Sequence, residues 1–236
     1  MDEESRILNI VITGASSGIG EATALEMSRS GHRFFLVGRD TDRLERVSKK
    51  VEELGGWANF GSGDVGDEKD VDRLFDNAVS ELGTIDVLFA NAGVGFFGNL
   101  EDLTLEHFDA QFRTNVKGVF LWIRKVLPAM KARNSGQIIA TSSNLGLATS
   151  ARASVYSATK HAVQAMIWCL REELKGTQVK AATINPGSVS TPWFDGREVD
   201  RSRMLAAEDV ARAVRFIIDQ SETSNVDHIL LLPGRI

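Results

Sequence analysis

Two side chains with complementary proton chemistry, Tyr156 and Lys160, lie four positions apart in the segment from Ser143 to Lys160. On a helix this spacing places both on one face, one turn apart. A free tyrosine titrates near pH ~10, so its hydroxyl is a poor base at neutral pH. A nearby lysine ammonium favours the phenolate and lowers that pKa, which would make the hydroxyl of Tyr156 a usable proton donor or acceptor. Because such pairs also occur by chance on ordinary helices, the interpretation depends on the rest of the chain.

A glycine-rich loop near the N-terminus predicts a binding site for a dinucleotide phosphate. The segment 13–20 reads T-G-A-S-S-G-I-G and lies between an apolar strand and the start of a helix, where backbone N–H groups favour phosphate. Gly14 would allow the sharp turn, Gly18 the approach of the cofactor and Gly20 the close packing of the helix on the sheet. The spacing differs from the common G-x-G-x-x-G, and a glycine-rich turn before a helix is the alternative.

Strands and helices alternate along the whole chain, and this alternation must position both features. Apolar runs predict strands at 7–13, 34–37, 57–63, 85–90, 137–141, 179–184 and 228–232. Helical patterns are predicted at 18–30, 40–54, 67–82, 104–133, 153–174 and 207–219. This order implies βαβ units, a parallel sheet and an α/β fold. We see no linker or inserted domain, so residues 1–236 are predicted to form one domain, with a loop at 185–205.

Composition excludes several classes of protein. The apolar content of 43% and charged content of 25% are those of an ordinary globular protein, and the net charge of −5 argues against nucleic acid as a partner. No apolar run could span a bilayer and the acidic N-terminus does not resemble a signal peptide, so we expect no membrane partner and a cytoplasmic location. The single cysteine, Cys169, is predicted to be a buried thiol, and with four scattered histidines we expect no metal site.

Six short motifs occur in one order: T-G-x-x-x-G-I-G at 13–20, N-A-G at 91–93, Asn115, Ser143, Y-x-x-x-K at 156–160 and P-G at 186–187. Together they resemble the compact branch of the short-chain dehydrogenase/reductase family over essentially the whole chain. The resemblance implies a Rossmann-type domain, a doubly wound seven-stranded parallel sheet with helices on both faces, and a nicotinamide cofactor.

The resemblance also implies the roles of the reacting residues. Tyr156 would be the acid/base, and Lys160 would lower its pKa and bind the nicotinamide ribose. Ser143, rather than the adjacent Ser142, would hydrogen-bond the substrate carbonyl, and Asn115 would hold a water that links the lysine to solvent. Hydride would pass between the nicotinamide and a carbonyl carbon while Tyr156 exchanges a proton with the oxygen.

The same resemblance implies the cofactor contacts. Asp64 would contact the adenine edge, Asn91 would lie beside the adenosine, and Val189 and Thr191 would hold the nicotinamide carboxamide. The full predicted set is Gly14, Ser16, Ser17, Gly18, Ile19, Gly20, Arg39, Asp64, Val65, Asn91, Ala92, Gly93, Tyr156, Lys160, Pro186, Gly187, Val189 and Thr191.

The end of the second strand predicts which cofactor is preferred. An acidic residue there would bond the ribose hydroxyls and repel a 2′-phosphate. The sequence has Gly38-Arg39 instead, and the guanidinium of Arg39 can bind a phosphate through paired, charge-assisted hydrogen bonds. We therefore expect NADP(H) to be preferred over NAD(H). The alternative is that Arg39 is a solvated surface arginine and Asp40 contacts the ribose.

The substrate is predicted less closely than the cofactor. Candidate pocket walls are Gly95, Phe96, Phe97, Leu145, Leu147, Trp193 and Phe194, of which Phe96, Leu145 and Trp193 are the predicted substrate contacts. These apolar residues suit a small carbonyl or alcohol, although they would equally suit domain packing. Residues 187–205 would form a short lid, and the apolar helix around Tyr156 favours a homodimer or homotetramer.

Two other functions remain open from the sequence. One is a catalytically silent NADP-binding regulatory protein or scaffold, against which the intact Tyr156, Lys160, Ser143 and Asn115 argue. The other is a β-ketoacyl thioester reductase. The leading expectation is an NADP-dependent aldehyde or ketone reductase, or a hydroxy-acid or secondary-alcohol dehydrogenase.

Overall fold

The computed structural model describes residues 6–196 and 198–234. Seven parallel strands form one sheet in the order β3-β2-β1-β4-β5-β6-β9, and a two-stranded ladder pairs β7 with β8. The bounds are β1 Asn9–Thr13, β2 Arg33–Gly38, β3 Trp57–Ser62, β4 Val87–Ala90, β5 Gly136–Thr141, β6 Val179–Pro186, β7 Val189–Ser190, β8 Leu205–Ala206 and β9 His228–Leu231. The predicted seven-stranded parallel sheet is confirmed.

Within the described residues, seven α-helices cover the two faces of this sheet, so the doubly wound arrangement is also confirmed. Their bounds are α1 Gly18–Ser28, α2 Thr41–Glu53, α3 Glu68–Leu82, α4 Leu105–Phe112, α5 Gly118–Ala132, α6 Ser154–Glu173 and α7 Ala207–Ile218. Buried side chains of α3, α5 and α6 form one apolar cluster with the sheet, and those of α1, α2 and α7 form the other. Because both faces are covered, the five inner strands β2, β1, β4, β5 and β6 are buried almost throughout rather than at alternate residues.

The helix predicted at 104–133 is interrupted by a π-helical segment. Residues 113–117 widen the helix between α4 and α5, and Gly118 N–H donates to the carbonyl of Arg113 five residues earlier. Such segments are often found at functional sites, and this one contains the buried Asn115. Local sequence pattern does not distinguish a π segment from an α-helix, because the apolar periodicity continues across it.

The two ends of the predicted lid at 187–205 are held together by the β7–β8 ladder. Val189 pairs with Leu205, and Leu205 N–H donates to the Ser188 carbonyl at 2.9 Å. Within the loop, the Arg201 guanidinium lies 2.7 Å from the Asp195 carboxylate. Position 197 lies outside the described residues. The loop is therefore an anchored segment with its own internal contacts.

The prediction that Cys169 is buried is wrong. Cys169 is exposed, and Trp168 beside it is 44% exposed, because both lie on the side of α6 that faces away from the sheet. On α5, Phe120 is 48% exposed. These exposed apolar side chains support the expected homodimer or homotetramer, which stays a prediction and would be contradicted by a monomer in analytical ultracentrifugation. None of the helices that the structure describes is long and apolar enough to cross a membrane.

Candidate active site

A cavity of about 610 Å³ opens at the carboxyl ends of the central strands. It lies where the strand order reverses between β1 and β4, which is where open α/β sheets bind ligands. Its lining includes the glycine loop, the segment after β4, the segment after β5, both Tyr156 and Lys160, and the start of the predicted lid. The fold thus brings the glycine loop and the tyrosine–lysine pair into one site.

The glycine loop presents backbone donors to this cavity. Ser16, Ser17, Gly18 and Ile19 line it, and Ser17, the N-cap of α1, makes no side-chain bond to the first helical N–H groups. These donors at the positive end of the helix suit a phosphate. Gly20 faces inward instead: a Cβ there would lie 2.3 Å from the carbonyl oxygen of Gly14, so only glycine lets α1 pack this closely on the loop.

Two arginines, Arg39 and Arg43, line the cavity beside the end of β2. Asp40 caps α2, since its carboxylate accepts the backbone N–H of Arg43 at 3.0 Å and also lies 3.1 Å from the Nε of Arg43. Asp40 does not line the cavity, whereas Arg39 does and has no ion-pair partner within the described part of the chain. The sequence analysis did not include Arg43. Its position at the start of α2, four residues after Arg39, was the available signal.

Asp64 and Val65 also line the cavity. The Asp64 carboxylate accepts the backbone N–H of Gly66 at 2.8 Å and forms a 3.0 Å ion pair with Arg113 from the π segment. These contacts fix the orientation of the carboxylate. Arg113 was not found from the sequence because its partner lies 49 positions away and no local pattern links the two.

Asn91 lines the cavity and also forms hydrogen bonds to the neighbouring strands. Its amide nitrogen donates to the Thr13 carbonyl at 3.1 Å, and its amide oxygen accepts from the Thr141 hydroxyl at 3.0 Å. The side chain therefore ties β1 and β5 to the end of β4. Asn91, Ala92 and Gly93 all line the cavity.

Asn115 joins three segments through its side chain. The amide oxygen accepts the Val94 N–H at 2.8 Å, and the amide nitrogen donates to the Val94 carbonyl at 2.9 Å and to the Thr159 hydroxyl at 3.1 Å. Since these bonds occupy the side chain, Asn115 holds the segment after β4 against α6.

The two adjacent serines have different surroundings. The hydroxyl of Ser142 donates to the Lys160 backbone carbonyl at 3.0 Å, so it fastens β5 to α6. The hydroxyl of Ser143 accepts the Leu145 N–H at 3.1 Å and donates to the Asn144 side-chain oxygen at 3.1 Å. It also acts on Tyr156 in the direction that lowers the tyrosine pKa, so Ser143 is the serine beside the tyrosine.

The sequence predicts that Lys160 lowers the pKa of Tyr156, but in the structure burial has the larger effect on both groups. Burial raises the pKa of Tyr156 to about 12, and the hydrogen bond with Ser143 opposes that rise. Burial lowers the pKa of Lys160 to about 8, and its Nζ donates to the Thr141 carbonyl at 2.8 Å while lying 5.7 Å from the centroid of the Tyr156 ring. Desolvation thus outweighs the expected effect of the ammonium, and Tyr156 is protonated at neutral pH.

Burial of Lys160 predicts a pH-dependent cost in stability. Its pKa of about 8 lies below the value in an unfolded chain, so between about pH 8 and pH 10.4 the unfolded state binds more protons and stability rises with pH. At pH 7 the penalty reaches about 3 kcal/mol. Replacing Lys160 with methionine should therefore favour folding more at pH 7 than at pH 10, by about that amount, in urea unfolding at the two pH values.

The exposed Lys131→Met variant is the control for this measurement, since it removes the same charge from the surface of α5. Its free energy of unfolding, relative to the wild type, should change little between pH 7 and pH 10. If the free energy of unfolding changed equally with pH in the two variants, burial of Lys160 would not destabilise the fold.

The remaining predicted cofactor residues reach the cavity from β6 and the lid base. Pro186, Gly187, Val189 and Thr191 line it. The hydroxyl of Thr191 donates to the Val189 carbonyl at 3.4 Å, and its side chain lies against Gly18. The start of the predicted lid and the glycine loop are therefore in direct contact.

The predicted substrate contacts divide into two groups. Leu145 and Trp193 line the cavity, as do Phe97 and Phe194 from the wider set of candidate walls. Phe96 does not line it, because its ring stacks on His107 with centroids 4.4 Å apart. Gly95 and Leu147 also lie outside the lining. Among residues 6–196 and 198–234, no group of three or more His, Cys, Asp or Glu residues is placed to hold a metal ion.

Comparison with known proteins finds the same family across the chain. A family model described as short chain dehydrogenase matches residues 8–201. An uncharacterized oxidoreductase of Staphylococcus epidermidis is 33% identical over 223 residues, which cover 94% of this chain and 96% of the relative.

Two solved structures have the same fold over nearly their whole length. An alcohol dehydrogenase from the archaeon Thermococcus sibiricus, complexed with 5-hydroxy-NADP, has a TM-score of 0.91 and 28% identity, covering 98% of each chain. A short chain dehydrogenase/reductase from Burkholderia phymatum in complex with NAD has a TM-score of 0.88 and 28% identity, covering 96% of this chain and 89% of the other.

Proposed function

The chain belongs to the short-chain dehydrogenase/reductase family of NAD(P)-dependent oxidoreductases, and from this premise we propose that it interconverts a carbonyl and an alcohol, with NADP(H) preferred. The observation that carries the proposal is that Ser143, Tyr156 and Lys160 line the same cavity as the glycine loop. A hydride donor held by the loop and a carbonyl held by the tyrosine would therefore meet in one cavity.

The residues of the chain fit the proposed cofactor. The N-terminus of α1, with no side chain bonded to its first N–H groups, suits the pyrophosphate, and Arg39 suits a 2′-phosphate. We propose further that Asp64 contacts the adenine and that Asn91 lies beside the adenosine. Lys160 would bind the nicotinamide ribose, and Val189 and Thr191 would hold the carboxamide. When bound, the nicotinamide supplies or accepts the hydride.

Tyr156 is the proposed proton donor in carbonyl reduction. With a pKa raised to about 12 by burial, its hydroxyl carries a proton at neutral pH and can deliver it to the oxygen as the carbonyl is reduced. The Ser143 hydroxyl would bond to the same oxygen and stabilise the charge that develops there. Lys160 remains the proposed ribose ligand. A water that links Lys160 to solvent would have to bond to the backbone of Asn115, because the Asn115 side chain is occupied by Val94 and Thr159.

The structures of the Thermococcus and Burkholderia proteins contain an NADP derivative and NAD, respectively, so the family uses either. For this chain, NADP(H) is supported by Arg39, which lines the cavity and has no ion-pair partner among residues 6–196 and 198–234. It is also supported by Asp40, whose carboxylate is occupied by the α2 N-terminus and Arg43. A silent NADP-binding protein is not favoured, because the site retains Ser143, Tyr156, Lys160 and Asn115 together.

The test is consumption of NADPH and NADH with a panel of aldehydes, ketones, 3-oxo acids and β-ketoacyl thioesters.

Ser143→Ala should lower kcat about tenfold or more, because the substrate oxygen loses one hydrogen bond. Ser142→Ala is the matched control, since that hydroxyl bonds the backbone of α6 and not the tyrosine, and it should change thermal stability more than kcat. Tight NADPH binding with no turnover of any carbonyl would contradict the proposal.

A further inference from the structure

The lid places one aromatic side chain in a contact that only glycine permits. The ring of Trp193 lies on Gly95, where a Cβ would be 2.4 Å from the Trp193 Cζ2 atom and 3.0 Å from the Phe97 ring. A separation of 2.4 Å is far below van der Waals contact, so any side chain at position 95 would displace Trp193. The segment after β4 and the lid therefore fit together through this pair.

The same two rings flank the proposed proton donor. The centroid of the Phe97 ring lies 5.1 Å from that of Tyr156, and the centroid of Trp193 lies 5.9 Å away in an edge-on arrangement. Both rings line the cavity. A carbonyl close enough to bond to the Tyr156 hydroxyl must therefore place its substituents near Phe97 and Trp193, which we call the aromatic wall.

We propose that the aromatic wall selects carbonyl substrates that carry an aromatic ring next to the reacting carbon, and that Gly95 is the positioning residue that lets Trp193 form it. This inference rests on the proposed function. Aromatic rings gain about 0.5–1.5 kcal/mol beyond area burial when they stack offset or edge to face. A short linear aldehyde has neither the ring nor the area to gain this, so the wall discriminates between the two classes.

The first experiment measures kcat/KM for benzaldehyde and for propanal with NADPH. Trp193→Ala should lower the benzaldehyde-to-propanal ratio about tenfold relative to wild type, because it removes one ring of the wall. Expressing each result relative to wild type cancels the different intrinsic reactivity of the two aldehydes. An unchanged ratio would overturn the inference.

Gly95→Ala tests the positioning role without altering either ring. It should lower the same ratio, since its Cβ displaces Trp193, and it should have no further effect in a Trp193→Ala background. Gly98→Ala is the matched control three residues away, where a Cβ would meet its nearest neighbour, Leu103, at an ordinary 3.6 Å. If Gly95→Ala acted equally with and without Trp193, it would be a structural residue only.

Failure of this inference and of the proposed function give different results. Turnover of propanal but no dependence of the ratio on Trp193 rejects the wall alone. If neither aldehyde is turned over, binding of benzyl alcohol to the NADP-loaded protein still tests the wall by calorimetry. There, Trp193→Ala should weaken binding about tenfold, and equal affinity, or no binding to the wild type, would overturn the inference.

Discussion

Replacing Tyr156 with phenylalanine is expected to lower kcat for carbonyl reduction by about 10²- to 10⁴-fold, the range that proton transfer by one side chain contributes. The variant loses only the hydroxyl, and the Phe97 and Trp193 rings around it retain their partner ring. Binding of NADPH, followed by nucleotide fluorescence, should therefore be nearly unchanged. The loss should appear in kcat rather than in the dissociation constant of the cofactor.

The wild type permits a direct measurement of the Tyr156 pKa, with the variant as the blank. Tyr156 is the only tyrosine in the chain, so tyrosinate absorbance in the wild type reports this residue alone and should appear only towards pH 12. The same scan of Tyr156→Phe should show no tyrosinate signal. Retained turnover by the variant would reject Tyr156 as the acid, whatever the titration shows.

Removing the guanidinium of Arg39 is expected to change the cofactor preference. Arg39→Ala should weaken NADPH binding about 10- to 100-fold, since hydrogen bonds between charged groups contribute about 1.5–3 kcal/mol. NADH lacks the 2′-phosphate, so its dissociation constant should change little. The measurement is the ratio of kcat/KM for NADPH and NADH with one carbonyl substrate.

Arg46→Ala is the control for this change. Arg46 is an exposed arginine on α2 that does not line the cavity, and its removal alters the net charge by the same amount. A smaller, salt-dependent weakening shared by both variants would reflect the overall field of the protein. Equal loss of NADPH and NADH in Arg39→Ala would show that Arg39 supports the site without recognising the phosphate.

The sheet and much of the candidate site follow from patterns within short stretches of sequence. The glycine loop, Ser143 and the Tyr156–Lys160 pair each lie at an end of a strand or on one helix face, and parallel strands bring these ends to one edge. Local spacing was therefore enough to place them in one cavity.

Other features depend on contacts between distant segments. Arg113, in the π segment, forms an ion pair with Asp64. Phe96 stacks on His107, whereas Phe97 lines the cavity. The direction of the Tyr156 pKa was wrong for the same reason, since it depends on how much water the surrounding fold excludes. Depth of burial is a property of the packed chain and cannot be read from the spacing of two residues.

The β7–β8 ladder has a consequence for how specificity can diverge. It pairs Val189 with Leu205 and Ser190 with Ala206, so the stretch between the two short strands begins and ends at neighbouring positions. Within that stretch, Trp193, Phe194 and Val199 line the cavity on the proposed substrate side, whereas Thr191 is a proposed cofactor contact. Exchange of residues 192–204 between homologues, with Thr191 kept, should therefore transfer substrate choice and leave cofactor binding unchanged, so this loop can diverge or be engineered as one unit.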